Sequence, residues 1–380
     1  MSSFRFIDLF CGIGGFHRAL SNLGGTCVFA SDIDKKCQDV YERNFGLRPV
    51  GDICAVRSED VPDHDVLCGG FPCQPFSTAG HREAFEDTRG TLFQEIARIV
   101  RDKKPKILLL ENVKGIKNIQ DGHVYRVILG VFESLGYSVK DVVLSPDMFG
   151  VPQKRERVYF IGIRNDLGSA TLPPAPVKTP CTVLDSSVDS KYTIAPELRS
   201  VFSAWDEMIP ILVGSTIGVP ILLDYFTADE TAPGTQAWKR GYILKNKTLY
   251  AAHKDAWDTW MARHQTLLSK RAVYRKLEWQ AGKMKTGDTV LKGHFIQMRQ
   301  SGIRIKNATT FPTLVAIVQT SIVGSAGRYI TPRECARLQS FPDSHFLHEQ
   351  DRVAYKQLGN SVNVNVVHHV ARHALSLAGL

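Results

Sequence analysis

The chain has 380 residues, 43% of them hydrophobic, and a net charge of +9. That supplies a large core and enough length for two ordinary domains, which excludes general disorder. No apolar run approaches about 18 residues free of charge, and no basic stretch precedes an apolar one at the start, so neither a membrane span nor a secretory leader is expected. The eight cysteines form no Cys-x-x-Cys pair, the usage of a reducing cytoplasm with no zinc site and no disulfide framework. Residues 231–330 hold 17 Lys/Arg against 4 Asp/Glu, a balance of +13, while the rest holds 30 against 34, a balance of −4. A basic block beside a near-neutral body suggests a polyanion-binding module joined to an enzyme; a solvated lysine-rich face is the alternative.

Residues 4–10 read as a buried first strand, followed by Cys11-Gly12-Ile13-Gly14-Gly15 and then helical spacing over 16–20. Strand, glycine turn, helix opens a nucleotide-binding α/β unit, with glycines that let the backbone approach a ligand at the helix N-terminus. The spacing is not Gly-x-Gly-x-x-Gly, which speaks against a pyrophosphate dinucleotide. A second strand, 27–31, ends at Asp32, 20 residues past Gly12, where a ribose-binding acid is expected; it could instead cap the next helix, as could Asp34. Asp52 follows another short segment in Gly51-Asp52-Ile53. A glycine turn and two acids at successive strand ends suit a ligand that carries adenosine.

The apolar run Asp65-Val66-Leu67-Cys68 leads into Gly69-Gly70-Phe71-Pro72-Cys73-Gln74-Pro75, where two glycines and two prolines fix a turn around Cys73. A thiol at the mouth of a strand is a candidate nucleophile; the alternative is a small apolar core residue. The polar, glycine-punctuated stretch 76–90 reads as a long loop, of the kind that serves as a lid. A helix is expected over 91–101, then a strand buried on both faces over 106–110 that ends at Glu111-Asn112-Val113. In a parallel sheet, Cys73 and Glu111 then share the edge where ligands bind. A helix over 123–135 and strands over 137–143 and 158–163 follow. Between those strands, Arg155 and Arg157 are two apart and share a face of an extended segment, with a surface ion pair to Glu156 as the alternative.

The proline-rich stretch 173–180 is an extended linker. Beyond it the α/β rhythm is lost until about residue 327. Residues 249–282 look helical and basic, with Trp257, Trp260, His264 and Leu268 on one face, a pattern more often core than binding site. Glycines at 287, 293, 302, 324 and 327 punctuate short segments suited to loops that track a groove. Order returns with a helix opened by Thr331 and Pro332. Gln357-Leu358-Gly359-Asn360-Ser361-Val362 reads as a turn before a last helix over 364–377.

Taken together, Asp8-Leu9-Phe10-Cys11-Gly12-Ile13-Gly14-Gly15, Gly70-Phe71-Pro72-Cys73-Gln74-Pro75-Phe76-Ser77, Glu111-Asn112-Val113, Gln153-Lys154-Arg155-Glu156-Arg157, Arg333-Glu334-Cys335-Ala336-Arg337 and Gly359-Asn360-Ser361-Val362 resemble the C5-cytosine DNA methyltransferases of bacterial restriction-modification systems. Each stretch is short, and their joint occurrence in this order is specific. The resemblance covers about residues 1–165 and 330–380. The family often has alanine or serine at the position of Cys11, and more usually glutamate at that of Asp32.

The resemblance implies an α/β, Rossmann-like S-adenosylmethionine-dependent methyltransferase fold: a mainly parallel sheet with an antiparallel hairpin strand, plus a smaller, irregular target-recognition domain. Residues 1–180 would form the catalytic and cofactor-binding domain and 181–330 the target-recognition domain. Residues 331–354 would be a hinge and support, and 355–380 a C-terminal helix returning to the catalytic domain. Double-stranded DNA would lie between the domains, bound by a monomer. A restriction endonuclease acting on the same site would be a functional partner without a stable complex, in the bacterial cytoplasm at the nucleoid.

By the same resemblance Cys73 adds to C6 of a flipped-out cytosine, so that C5 can attack an electrophilic methyl group. Glu111, protonated, contacts N3 and the exocyclic amine, and Arg157, supported by Arg155, holds O2. Loss of the C5 proton and elimination of Cys73 follow. Phe10, Gly12 and Gly14 approach the cofactor, Asp32 takes its ribose hydroxyls, Asp52 and Ile53 its adenine, and Pro72 and Asn360 close the pocket. Ile33, Ser361 and Val362 belong to the same set. Ser77 and Arg89, in the lid, contact the DNA backbone near the flipped base; Arg299, Arg304 and Lys306 are candidates for base contacts. Three rivals stand beside it: a transfer-RNA cytosine-5 methyltransferase, whose Cys-Phe-Thr motif is absent from this sequence, a non-catalytic DNA-binding regulator of the same fold, and a nicotinamide-dependent oxidoreductase, which explains the first strand and Asp32 but not the cysteine turn or the basic block.

Overall fold

The structure, a computed structural model, describes residues 3–72, 92–214, 218–316 and 319–380. The chain divides into two compact units, one built from Met1–Val183, Pro312–Val318 and Pro332–Leu380, the other from Leu184–Phe311 and Gln319–Thr331.

The first unit is organised by a six-stranded sheet. Its elements in chain order are β1 (Phe4–Leu9), α1 (Gly15–Ser21), β2 (Gly25–Ser31), α2 (Lys35–Phe45), β3 (Val66–Gly70), α3 (Leu92–Lys103), β4 (Ile107–Val113), α4 (His123–Ser134), β5 (Tyr137–Leu144) and β6 (Arg157–Arg164). The strand order is β2-β1-β3-β4-β6-β5. β1 pairs in parallel with β2 and β3, and β3 with β4, while β6 runs antiparallel to both β4 and β5. One reversed strand, supplied by a hairpin, is the arrangement the sequence implied. The four consecutive apolar residues Ile107–Leu110 explain why β4 is central: all are buried, with helices over both faces of the sheet. On one face, Ile96 and Val100 of α3 and Val127, Ile128 and Val131 of α4 join Leu67, Leu108 and Phe160 in a single core. On the other, Phe16 of α1 lies with Leu109 and Tyr159. The sheet is tight enough to exclude a side chain at Gly69, where a Cβ would lie 2.6 Å from the Leu9 carbonyl oxygen.

The chain reverses direction across the sheet at β1, going first to β2 and then back past β1 to β3. Such a switch point opens a crevice at the carboxyl ends of the strands. The glycine turn after β1, Asp32 after β2, Pro72 after β3 and the end of β4 all face this crevice.

The second unit has its own sheet and core. It comprises α5 (Pro196–Leu212), β7 (Ile221–Leu222), α6 (Ala237–Ala252), α7 (Lys254–Arg263), α8 (Gln265–Ser269), β8 (Lys276–Trp279), β9 (His294–Arg299), β10 (Gly302–Asn307), β11 (Ile322–Val323) and β12 (Arg328–Tyr329). The sheet order is β12-β11-β9-β10-β8-β7, with β8 and β10 parallel and the other pairs antiparallel. The region expected to be irregular is thus a mixed sheet. Its strands are only 2–6 residues long, too short for alternation to register against so many glycines. The basic helix expected over 249–282 is three helices, with non-helical backbone at His253 and His264, followed by strand β8. Trp257, Trp260 and Leu268 are buried with Trp205 in the core, the structural reading of that face.

The chain then returns to the first unit through α9 (Pro332–Leu338), α10 (Asp351–Asn360) and α11 (Val364–Leu377). Apolar residues at 364, 367, 370, 371 and 374 bury one stripe of α11, and the Asn363 side chain caps it by accepting from the Val366 N–H at 3.1 Å. Gln357–Asn360, expected as a turn, is the last turn of α10. Gly359 stands there because a Cβ would lie 2.4 Å from the Val315 carbonyl, so it permits a close approach of two backbones instead of a reversal.

Candidate active site

A cavity of about 480 Å³ occupies the crevice of the first unit. Its walls include Phe10 and Gly12 after β1, Asp32 and Ile33 after β2, and Asp52 and Ile53 from the next turn. Pro72, Glu111, Arg155, Arg157 and Asn360 complete the predicted set that it gathers. Gly14, Ser361 and Val362 are buried and do not line it. Cys73, Ser77 and Arg89 lie outside the described residues. The chain enters that segment from Pro72, in the cavity wall beside Phe71.

The two acids after β2 have separate tasks. Asp34 caps α2 by accepting from the Lys36 N–H at 2.9 Å. Asp32 is thereby released from capping that helix. Its Oδ2 accepts from the Gly12 N–H and its Oδ1 from the Asp34 N–H, each at 2.8 Å. One carboxylate thus joins the glycine turn to the end of β2. Burial pushes the Asp32 carboxyl up, against the lowering effect of those two N–H groups. Asp52 caps its own short turn, accepting from the Cys54 N–H at 3.0 Å. Ile33 is 74% exposed at the wall, an unusual position for a large apolar side chain.

Glu111 lies two residues before the end of the buried strand β4, and the register places Arg157 opposite Val113 on the antiparallel neighbour. The Arg157 Nε lies 3.1 Å from Glu111 Oε1, and both side chains are largely enclosed. Burial raises the Glu111 carboxyl, opposed by the charges of Arg157 and then Arg155, and burial prevails. A carboxyl held toward its protonated form beside a fixed cation can give a proton or a hydrogen bond to a polar ring that enters the cavity.

Arg155 behaves differently from Arg157. Its Nη1 donates to the Leu314 carbonyl at 2.7 Å, and Nη2 donates to the carbonyls of Gly359 at 3.0 Å and Ser361 at 2.8 Å. Burial, then the neighbouring Arg157, pulls its guanidinium down to about 10. It clamps two backbone segments, one at Leu314 and one at Gly359 and Ser361, the residues on either side of Asn360 in the cavity wall. Arg155→Ala takes a donor from three carbonyls; Ser361 keeps the Gln339 Nε2 donor at 3.3 Å, while those of Leu314 and Gly359 lose the guanidinium that serves them, each costing about 1–3 kcal/mol if it stays buried. With partial relaxation, a loss on the order of 3–5 kcal/mol is expected. A thermal melt would then show a midpoint lower by roughly 6–15 °C. Arg155→Lys should recover only part of this, because an ammonium lacks the planar fork. A melt unchanged by Arg155→Ala would remove the clamp.

Asn112, the middle residue of Glu111-Asn112-Val113, has a distinct place. Its Nδ2 donates to the Phe71 carbonyl at 3.0 Å and its Oδ1 accepts from the Val113 N–H at 2.8 Å. It therefore tethers the end of β4 to the segment that leads to Cys73. Cys37 and Gln357 also line the cavity. The position of Cys37 in the first turn of α2 is the only sequence signal for it, and the Gln357 side chain reaches the Lys36 carbonyl at 3.0 Å.

The model of the C-5 cytosine-specific DNA methylase family matches residues 4–376. The chain belongs to the C-5 cytosine-specific DNA methylases. It is a DNA (cytosine-5)-methyltransferase, similar to the type II modification enzymes. It is 34% identical to the type II methyltransferase M.HhaI of Haemophilus parahaemolyticus over 371 residues, which cover 98% of this chain and 94% of that one. It is also 34% identical to M.HpaII of Haemophilus parainfluenzae over 385 residues, covering 99% and 90%. Among solved structures, a putative DNA modification methyltransferase encoded within an Escherichia coli prophage aligns with a TM-score of 0.59 and 20% identity, over 99% of both chains. Spodoptera frugiperda DNMT2, as a triple mutant, aligns with a TM-score of 0.55 and 20% identity, over 98% and 99%, a likeness of fold. No helix among the methylase's described residues is long and apolar enough to cross a membrane.

Proposed function

We propose that this methylase transfers a methyl group from S-adenosylmethionine to C5 of a flipped-out cytosine in one specific duplex sequence, through a covalent bond between Cys73 and C6. The observation that carries this reading is the Glu111–Arg157 pair in the wall of the same cavity that Asp32, Ile33 and Ile53 line. The residues suit the cofactor. Asp32 keeps unused lone pairs for ribose hydroxyls, Ile33 and Ile53 offer apolar area to a purine ring, and Phe10 and Gly12 border the remaining space. Bound there, S-adenosylmethionine supplies an electrophilic methyl group.

Cys73, as thiolate, bonds to C6 and raises electron density at C5. Glu111 donates its proton toward N3 and neutralises the charge that the attack creates, while Arg157 holds O2. After C5 has taken the methyl group its proton passes to a water, Cys73 leaves as thiolate while the C5–C6 double bond reforms, and the proton on N3 returns to Glu111. Ser77 and Arg89 hold the backbone beside the extruded nucleotide. The basic second unit, with residues 181–330, receives the duplex; residues 331–354 act as a hinge and 355–380 complete the cofactor half. The monomeric enzyme works in the bacterial cytoplasm, at the nucleoid, and protects host DNA from an endonuclease that cuts the same sequence.

The direct test is transfer of labelled methyl groups from S-adenosylmethionine to mixed-sequence duplex DNA, with the product base identified. Label in 5-methylcytosine at a small set of sequences supports the proposal. Label in transfer RNA alone, or in another base, overturns it. Asp32 has its own readout. Asp32→Asn keeps the shape but turns one acceptor into a donor facing an N–H, so cofactor affinity should fall about 10-fold or more, from the loss of roughly 1.5–3 kcal/mol in a charge-assisted bond. Titration calorimetry with S-adenosylmethionine checks this, and an unchanged Kd removes Asp32 from the cofactor set.

A further inference from the structure

The sheet of the second unit has two unlike faces. Leu277 of β8, Ile296 and Met298 of β9 and Ile303 and Ile305 of β10 point into the core. Alternation turns Glu278, Gln297, Arg299, Arg304 and Lys306 to the other side. The register gathers them: Arg304 lies opposite both Gln297 and Glu278, and Arg299 is two residues along from Gln297. An ordinary solvent face carries loose, exposed charges. Here Glu278 and Gln297 are buried, and the cations are held.

The holding is specific. Arg304 Nε donates to Glu278 Oε2 and Nη2 to Oε1, both at 2.9 Å. Gln280 donates to the same carboxylate, and Arg299 Nε donates to Gln319 Oε1 at 3.1 Å. The fork to Glu278 uses one edge of the Arg304 guanidinium. Its second edge, Nη1 with the remaining hydrogen of Nη2, lies in the same plane, and among the described residues nothing bonds Nη1. A planar pair of N–H donors with fixed direction matches O6 and N7 of guanine in the major groove, which admits a two-stranded ribbon such as β9–β10. The surrounding residues 231–330 carry the +13 balance that attracts phosphate.

We propose that the polar face of β8, β9 and β10 is the base-reading surface of this methylase, with Arg304 reading a guanine and Glu278 as the positioning residue that aims it. The inference rests on the proposed action at a specific duplex sequence. Its test is a methylation profile on a randomised duplex pool for the wild-type enzyme, Arg304→Ala and Glu278→Gln. Arg304→Ala should lower discrimination at one guanine position by about 5- to 150-fold and leave the other positions alone. Glu278→Gln should weaken preference at that same position. A readout on the unaltered protein covers variants that fold poorly: 7-deazaguanine, placed at each guanine of the site in turn, removes N7. It should slow wild-type methylation at that one guanine and have no further effect on Arg304→Ala. Variants that methylate every site more slowly with unchanged preferences, or 7-deazaguanine without effect at any guanine, overturn the assignment. A wild-type enzyme that makes no 5-methylcytosine in any duplex overturns the proposed function, and this inference with it.

Discussion

Replacing Cys73 by serine is expected to abolish methyl transfer, by on the order of 10⁴-fold or more, while leaving duplex binding within a few-fold. A thiol with a pKa near 8.5 has a usable thiolate fraction at neutral pH, and sulfur is the softer nucleophile toward an unsaturated ring carbon. A serine hydroxyl has neither property, and no other described group replaces the sulfur in the proposed scheme. Binding should persist because the proposed contacts to phosphate come from a basic block remote in sequence, residues 231–330. A duplex carrying 5-fluorocytosine at the target separates chemistry from binding. The fluorine at C5 cannot leave as a proton does, so the wild-type enzyme with cofactor should stay covalently attached through denaturing electrophoresis. Cys73→Ser should leave no attached species. Full transfer by the serine variant, or wild-type turnover with no trapped adduct, would remove Cys73 as nucleophile.

The second large effect is expected at Glu111. Glu111→Gln keeps the size and the ability to accept from Arg157, but it cannot deliver a proton. General-acid assistance contributes about 10²–10⁴-fold, so kcat should fall by roughly 10²–10³-fold, with little change in duplex affinity. The sign of the pH dependence follows from the protonated form being the useful one. Burial has raised this carboxyl above its ordinary range, so it stays protonated at pH values where an exposed glutamate has ionised. As pH rises through the raised pKa, the protonated fraction falls and the rate falls with it. The wild-type profile should therefore carry an alkaline limb that Glu111→Gln lacks. A variant with the same limb at reduced height would assign that titration to another group, and one with wild-type kcat would remove the proton-transfer role.

The parallel half of this fold was legible because its signals are local. Ile107–Leu110 is apolar at every position, as a strand covered on both faces requires, and Val158–Ile163 of β6 is likewise a buried run without a charge. The ends of those strands carry the chemistry, so most of the cavity wall followed from the strand assignments. The second unit hid its sheet in strands as short as two residues, and α6 carries charge with only Ile243, Asn246 and Leu249 buried. Gly359 and Asn360 are turn-forming residues by type, but this glycine serves a backbone contact inside a helix, which local pattern does not reveal. The pair of arginines was correct as a spacing and incomplete as a function. Arg157 meets a neighbour on the adjacent strand, but the acceptors of Arg155 lie 159 to 206 residues further along, beyond any window of local pattern.

That last feature bears on how the enzyme is born. Every strand of the first sheet has been synthesised by Arg164, yet the carbonyls that Arg155 needs come up to 206 residues after it. At about 5–20 residues per second, the Arg155 guanidinium stays without those backbone acceptors for roughly 10–40 s. During that interval Asn360, which closes the cavity wall, has not been made. A polypeptide stalled or cleaved within the second unit therefore cannot build the complete cavity, and methyl transfer becomes a property only of translation carried past that point.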